Sequence, residues 1–556
     1  MTVRTPLTHK PLTHLILSTA IAVGAASALA LPTAAVAEPA PGISQAEAPA
    51  RSPVAKALED RLHGKSFGAK TQKEFSPAVL EAVRRAYAQR NYAPLWTPQS
   101  AAAFREEART LRDHGIVAED VFTAKLDKRV DALGAGSPKA RAKADLNLTL
   151  AAARAARALS AGLGDEGETV TDGVAPQSGL VDYLQRAGEG ERGLLADYAP
   201  THPQYAKLQT ALADYKALAR TGGWSRLPDG DLIEPGDTDP RVSALRTRLR
   251  AEGFDVPDSP TPDLYDADVE AAVKDFQSRH GLEQDGLVGG NTLEALNESV
   301  HSKVARISDT LHRWRRHGDM GERFVLANIP SYTAQGWNGG VKEIEMRTVV
   351  GKPQHATPVF SDTVEYVVAN PKWYVPVSIA RRQKLSKLRR NAAYAPRNGY
   401  QVVSRETGQA VSAASVNWND PDVLSRYRLV QQPGDNNALG EMKIIFPNQY
   451  SVYLHGTPTT HLFDEAQRAF SSGCVRLEDP EAMARWIAKY DEGFTPGEVS
   501  DQLDSGERER MYLDGGMPVH ITYFTVTADE RGPVFHRDVY DRLDDVKAAK
   551  KLASLD

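Results

Sequence analysis

The chain is 556 residues long, 41% hydrophobic and 25% charged, enough to bury about two to four separate cores. Its net charge of −5 excludes a strongly basic nucleic-acid-binding protein, which would carry a basic face to match phosphates. One cysteine in the whole chain excludes an internal disulfide framework.

The N-terminus predicts export. MTVRTPLTHK carries Arg4 and Lys10 with no acid, LILSTAIAVGAASALAL over residues 15–31 is apolar and small, and Ala35, Val36 and Ala37 precede Glu38. Together these make a secretory signal peptide over residues 1–37, cleaved near Ala37. No later run approaches the ~18 continuous apolar residues that span a bilayer, so no transmembrane segment is expected in the mature chain. No cysteine follows the apolar run to take an acyl anchor.

EPAPGISQAEAPARSP, residues 38–53, reads as a flexible linker. Residues 54–230 predict an α-helical domain: AVLEAVRRAYAQ, AAAFREEARTLRDHG, ARAKADLNLTLAAARAARALSAGL and YAKLQTALADYKALAR place apolar residues at three- and four-residue spacing. RNYAPLW, residues 90–96, reads as core packing at a helix end, and residues 164–179 as a loop. The stretch at residues 222–240, dense in Gly, Pro and Asp, marks a boundary. Residues 237–300 then form a small unit in which Leu245, Leu249, Val269, Val273, Phe276 and Leu282 face one core and Asp266 caps the second helix. DGLVGG follows a helix and lacks a P-loop lysine, so it is no phosphate loop.

A helical link at residues 301–322 leads into a β-rich region, residues 323–540, where β-branched and aromatic runs are bounded by Gly, Pro or Asn. The pattern lapses over residues 376–428, predicting a lid insertion between strands. Its basic run from Arg381 to Arg390 admits two readings, a solvated helix face or a site for acidic peptides. A C-terminal tail occupies residues 541–556.

The chemistry centres on FSSGCVRLEDP. A lone cysteine in an exported chain is a buried inert thiol, an intermolecular bridge or a reactive site. Ser471, Ser472 and Gly473 favour a tight turn that exposes Cys474 and its amides. An ordinary thiol, pKa ~8.5, is a few per cent thiolate near neutrality and needs an imidazole or a positive field to become a good nucleophile. His455, at the end of VYLHGT nineteen positions earlier, is placed to provide it. Tyr453 and Trp373 read equally as groove residues or as ordinary packing.

Two stretches resemble known families. Residues 237–300, with YDADVEAAVKDFQSRHGLEQDG followed by Gly289, Thr292, Leu296 and Asn297, resemble the three-helix peptidoglycan-binding domain of bacterial cell-wall enzymes. HGTPTTHLFDEAQRAFSSGCVRL resembles the active-site motif of the YkuD-type L,D-transpeptidases. NIPSY, VVGKP, NPKWYVP, NNALG and FPNQYSVYLHGTP extend the likeness to the large YcbB-like branch. The fold implied is a multidomain α+β chain: a helical scaffold and a peptidoglycan-binding domain, then a β-rich catalytic domain with an inserted lid.

The resemblance implies Cys474 as nucleophile and His455 as general base, with the Gly456 carbonyl orienting the imidazole. Gly473 and Cys474 become oxyanion donors, and Arg476 holds a substrate carboxylate. Ser472, Tyr453 and Trp373 are further substrate-binding candidates. Cys474 would acylate itself with a tetrapeptide stem, release D-alanine, and pass the acyl group to the amine of a second stem as a 3→3 cross-link, with no cofactor and no metal, in the periplasm. Water as acceptor gives an L,D-carboxypeptidase; a protein amine gives an anchor for outer-membrane proteins. The expected partners are peptidoglycan stems and glycan strands. Common members carry histidine where this chain has Ser472, which leaves proton transfer to His455, with His461 a weaker substitute. A papain- or NlpC-like peptidase places its cysteine before its histidine, the reverse of the order here. A non-catalytic wall-binding scaffold is the remaining alternative.

Overall fold

Serine or threonine followed by proline starts helix after helix in the N-terminal half, because the hydroxyl caps a free amide and proline has no amide to satisfy at that position. Ser76 and Ser137 do this for α1 (Pro77–Ala88) and α2 (Pro138–Ser160). The structure, a computed structural model, describes residues 51–64, 67, 75–162 and 177–543. The expected signal peptide, the linker up to residue 50, residues 164–176 of the expected loop and the tail from residue 544 lie outside the described residues, while residues 177–179, expected in that loop, begin the helix Gln177–Glu189.

Alanines on α2 let the surrounding helices pack close, and its Asp145 is buried at the centre of the helical core. The Asp145 carboxyl accepts from the Tyr87 hydroxyl at 2.7 Å and from the amides of Leu95 and Trp96 at 3.1 and 3.0 Å. The Trp96 indole donates to Thr149, one turn along, at 2.9 Å. RNYAPLW is thus tied to α2 by its backbone and packed into this core by Leu95 and Trp96.

Helix α3 (Pro203–Arg220) packs elsewhere. Its Tyr205, Leu208 and Leu212 join a separate core with the link helix and the β-rich region.

The small unit expected over residues 237–300 comprises α4 (Arg241–Ala251), α5 (Ala267–Arg279) and α6 (Gly290–Leu296). Asp266 caps α5 by accepting the Val269 amide at 3.1 Å. Leu245, Leu249, Val269, Val273 and Phe276 form one core with Tyr265 and Leu296. Leu282, expected among them, is half-buried outside that core: Gly281, at φ 61°, turns the chain as α5 ends.

A buried charge cluster joins this unit to its neighbours. Glu252, just past α4, pairs with Arg248 at 2.8 Å, with Lys303 of α7 (Val300–His317) and with the Tyr215 hydroxyl of α3 at 2.8 Å. Burial pushes the Glu252 carboxyl up, but Lys303, His280 and Arg248 hold it well below the usual carboxylate range. Burial also brings Lys303 down to about 8.

The β-rich region contains β1 (Arg323–Asn328), β2 (Thr333–Asn338), β3 (Val341–Gly351), β4 (Phe360–Ala369), β5 (Trp373–Tyr374), β6 (Tyr400–Ser404), β7 (Ala410–Val411) and β8 (Tyr427–Gln431). It continues with β9 (Met442–Ile445), β10 (Leu454–His455), β11 (Ala469–Ser471), β12 (Val475–Leu477), β13 (Glu509–Thr522), β14 (Val526–Asp529) and β15 (Gly532–Phe535). Nine strands form one sheet in the order β11-β3-β12-β10-β9-β4-β13-β1-β2, and β2 also pairs with β3, so the sheet closes on itself. Arg279 of α5 grips the β14–β15 hairpin through both Asp529 oxygens, at 2.8 and 2.7 Å.

The predicted lid has its own four-stranded sheet, β5-β8-β6-β7, and its own core around Trp373, Leu388, Tyr400, Trp418 and Leu429. Tyr453, half-buried, packs against that core from the main sheet. Among the described residues no helix is long and apolar enough to cross a membrane.

Glu252→Gln removes the carboxylate in direct contact with the buried Lys303 and Arg248, leaving only the more distant charge of Glu298 to act on them, and breaking a buried ion pair costs about 3–5 kcal/mol. A lower urea midpoint is the expected outcome, partly restored in Glu252→Gln/Lys303→Met.

Candidate active site

Strand register assembles the site. In β10, His455 lies opposite Lys443 of β9 on one side and Arg476 of β12 on the other. Residues paired across strands point to the same face, and side chains alternate along each strand. Lys443, His455 and Arg476 therefore form one row, and Tyr453 and Cys474 fall on the same face one step back. Ile444, Leu454 and Val475 point the other way, into the core.

The turn carrying Cys474 is braced from both sides. Ser471 Oγ donates to the Cys474 carbonyl at 2.6 Å and accepts the Gly473 amide at 3.0 Å, while Thr357 Oγ1 donates to the Gly473 carbonyl at 2.9 Å. Gly473 sits at φ 121°, where a β-carbon would strain the backbone. Its amide, a sequence candidate for an oxyanion donor, is engaged by Ser471 here. Ser472 is exposed.

Cys474 is half-buried, and its Sγ points at the Ser451 carbonyl, 3.8 Å away. That carbonyl is presented by a turn in which Ser451 adopts φ 58°. Asn448 clamps this turn, its Nδ2 donating to the carbonyls of Phe446 and Val452 at 2.6 and 2.8 Å. Burial pushes the thiol up, against the pull of the Tyr453 amide, Lys443, the Tyr453 hydroxyl and Arg476.

His455 is buried, with Nδ1 2.5 Å from the Gly456 carbonyl. A carbonyl only accepts, so Nδ1 carries the hydrogen and Nε2 keeps a lone pair. Burial, then Arg476, pushes this imidazole down to about 3. It is a neutral base at pH 7 and supplies no standing positive field. Among the described residues no hydrogen bond joins its ring to Sγ; the Tyr453 ring lies between them in the chain of contacts, 5.4 Å from the His455 ring.

The positive field comes instead from Lys443, which the sequence reading missed. Its Nζ lies 3.9 Å from the centre of the Tyr453 ring. Burial brings it down to about 8, although the Cys474 thiolate pulls it upward. The available signal was alternation: in MKII, Lys443 falls on the face opposite Met442 and Ile444. Arg476 is half-buried, its Nε has no partner, and it pairs with no carboxylate among the described residues. Trp373 lies in the lid core and His461 is exposed. Among the described residues no cluster of His, Cys, Asp and Glu could hold a metal ion.

Comparison with known proteins divides the chain into three matched stretches. Family models match residues 322–521 as "L,D-transpeptidase catalytic domain" (YkuD), 81–212 as "Scaffold domain" and 238–296 as "Putative peptidoglycan binding domain". Residues 322–521 therefore match the YkuD-type L,D-transpeptidase catalytic domain, over about a third of the chain. A "Putative L,D-transpeptidase" of Haemophilus influenzae is 32% identical over 216 residues, 39% of this chain and 44% of that protein. The "N-acetylmuramoyl-L-alanine amidase CwlM" of Mycobacterium tuberculosis is 36% identical over 89 residues, 15% of this chain and 22% of that protein. The chain thus matches less than half the length of either curated relative.

Among solved structures, an L,D-transpeptidase from Mycobacterium smegmatis is 16% identical with a TM-score of 0.16, covering 36% of this chain and 58% of that one. One from Stackebrandtia nassauensis is 14% identical with a TM-score of 0.20, covering 53% and 96%. These superpositions are too slight to carry an argument.

Within the transpeptidase domain, Lys443→Met takes the cation away from the thiol. The Cys474 titration midpoint should rise by about one unit, as for loss of a nearby opposite charge, while Lys443→Arg should hold it. Alkylation rate against pH, followed by mass, measures this directly because the chain has one cysteine.

Proposed function

We propose that this chain is an exported, cell-wall L,D-transpeptidase in which Cys474 is the nucleophile and His455 the general base. The observation that carries the reading is the single sheet face holding Tyr453, His455, Cys474, Lys443 and Arg476. His455, fixed as the Nδ1–H tautomer by Gly456, has its Nε2 lone pair free to take the thiol proton. A proton accepted there is returned to the leaving amine, which is general acid–base catalysis by one group. Lys443 and Arg476 stabilise the thiolate formed in between.

Sγ then attacks the carbonyl of the third residue of a tetrapeptide stem, the bond to the terminal D-alanine breaks, and a thioester remains. The amine of a second stem attacks this thioester, the C–S bond breaks, and the thiol is regenerated with a 3→3 cross-link formed. Arg476, a cation without a carboxylate partner, is matched to a stem carboxylate. With the Gly473 amide taken by Ser471, the Cys474 amide is left as the backbone donor to the oxyanion. The scaffold and peptidoglycan-binding domains hold the wall near this face in the periplasm.

Purified protein incubated with tetrapeptide-rich muropeptides should yield cross-linked dimers by mass spectrometry. Tripeptide alone would make it a carboxypeptidase, and the absence of both products would refute acyl transfer from this donor. Cys474→Ala should abolish turnover and retain sacculus binding; survival of turnover would overturn the enzyme reading. His455→Gln should slow thioester formation by about 10²–10⁴-fold. A carbapenem should add one covalent mass at Cys474.

A further inference from the structure

The row of cations does not stop at Lys443. Arg510 of β13 lies opposite Val368 of β4, which lies opposite Lys443. With strands about 4.8 Å apart, Arg510 stands about 10 Å beyond Lys443, on the side away from Arg476. Arg508 precedes it by two residues, and both are exposed. Glu509, between them, pairs with Ala369 and points to the opposite face.

Aromatic rings line the same surface. The Tyr366 and Tyr512 rings lie 5.2 Å apart, with the Arg510 guanidinium 5.4 Å from the Tyr366 ring and 3.4 Å from the Tyr512 hydroxyl. Across the lid boundary, Arg428 of β8 stands 5.1 Å from the ring of Tyr374 of β5, and Tyr374 is close enough to Arg510 to interact with its charge. Tyr374 and Tyr512 are 51% and 54% exposed. Arg428, Arg508 and Arg510 pair with no carboxylate among the described residues, and the Arg428 Nε is buried without a partner.

We propose that Arg428, Arg508 and Arg510, with Tyr374 and Tyr512, form the docking surface for the acceptor, an acidic stem peptide that reaches the thioester from the Lys443 side. This rests on the transpeptidase reading. Like charges set in a row repel unless an anion lies among them, and an extended peptide bearing several carboxylates is complementary to this one. Exposed tyrosines add contact area at small entropic cost. The donor carboxylate is assigned to Arg476, two residues along from Cys474, so the donor lies along β12 and the acceptor reaches the thioester from across the sheet. Tyr374 and Arg428 belong to the lid and Arg508, Arg510 and Tyr512 to the main sheet's side, so an acceptor bound there contacts both.

The test separates the two half-reactions in the full chain carrying Arg508→Glu/Arg510→Glu, using a synthetic stem peptide as acceptor. The acceptor KM is expected to rise about tenfold or more, the scale of lost hydrogen bonds to charged groups, with thioester formation from the donor within about twofold of the unaltered protein. An acceptor with its side-chain and terminal carboxylates amidated should not distinguish the two proteins. Unchanged acceptor KM, or thioester formation falling in parallel, overturns the proposal. If the unaltered protein forms no thioester, the transpeptidase reading fails, and the assigned role of this surface fails with it.

Discussion

The strand Leu454–His455 is two residues long and pairs on both sides, antiparallel to Met442–Ile445 and parallel to Val475–Leu477. That double pairing is the constraint the site depends on. A shift of one residue on either side would exchange the two faces of the strand, sending Lys443 or Arg476 into the core and Ile444 or Val475 out. The fully buried row of Ile444, Leu454 and Val475 forbids such a slip, so apolar packing on one face holds the polar row on the other in register.

The polar row is electrostatically unusual because it gathers cations. Arg476 and Lys443 flank a buried imidazole, and their charges add to burial in keeping it neutral. The division of labour follows: lysine and arginine bear the positive charge, and the imidazole keeps its lone pair. A permanent thiolate–imidazolium pair is the opposite arrangement, and here burial disfavours both of its members.

Much of this was legible in the sequence. The thiol, the histidine, the small-residue turn and the helical and β-rich halves all follow from local pattern. Lys443 did not, because a lysine in a short strand reads as a solvated residue until its cross-strand partner is known. The bracing of the turn by Thr357, more than a hundred residues away in the chain, is equally non-local. Nor could pattern alone show that the Gly473 amide is already occupied by Ser471. Helix α3 displayed its apolar stripe plainly, yet nothing in that stripe said it would face Leu311 and Phe324 instead of the helical core. Leu282 failed for a related reason: periodicity carries an apolar residue past the glycine that ends its helix.

Buried charge at Glu252 and the Arg279–Asp529 grip make the peptidoglycan-binding unit continuous with the link helix and the β14–β15 hairpin. A module on a flexible tether would raise the local concentration of wall around the thiol without favouring any direction. Fastened in this way, the unit acts as a jig. On the proposed function, a glycan strand gripped there would be offered to Cys474 at a set distance and bearing, and the geometry of the mesh would select which stems come within reach.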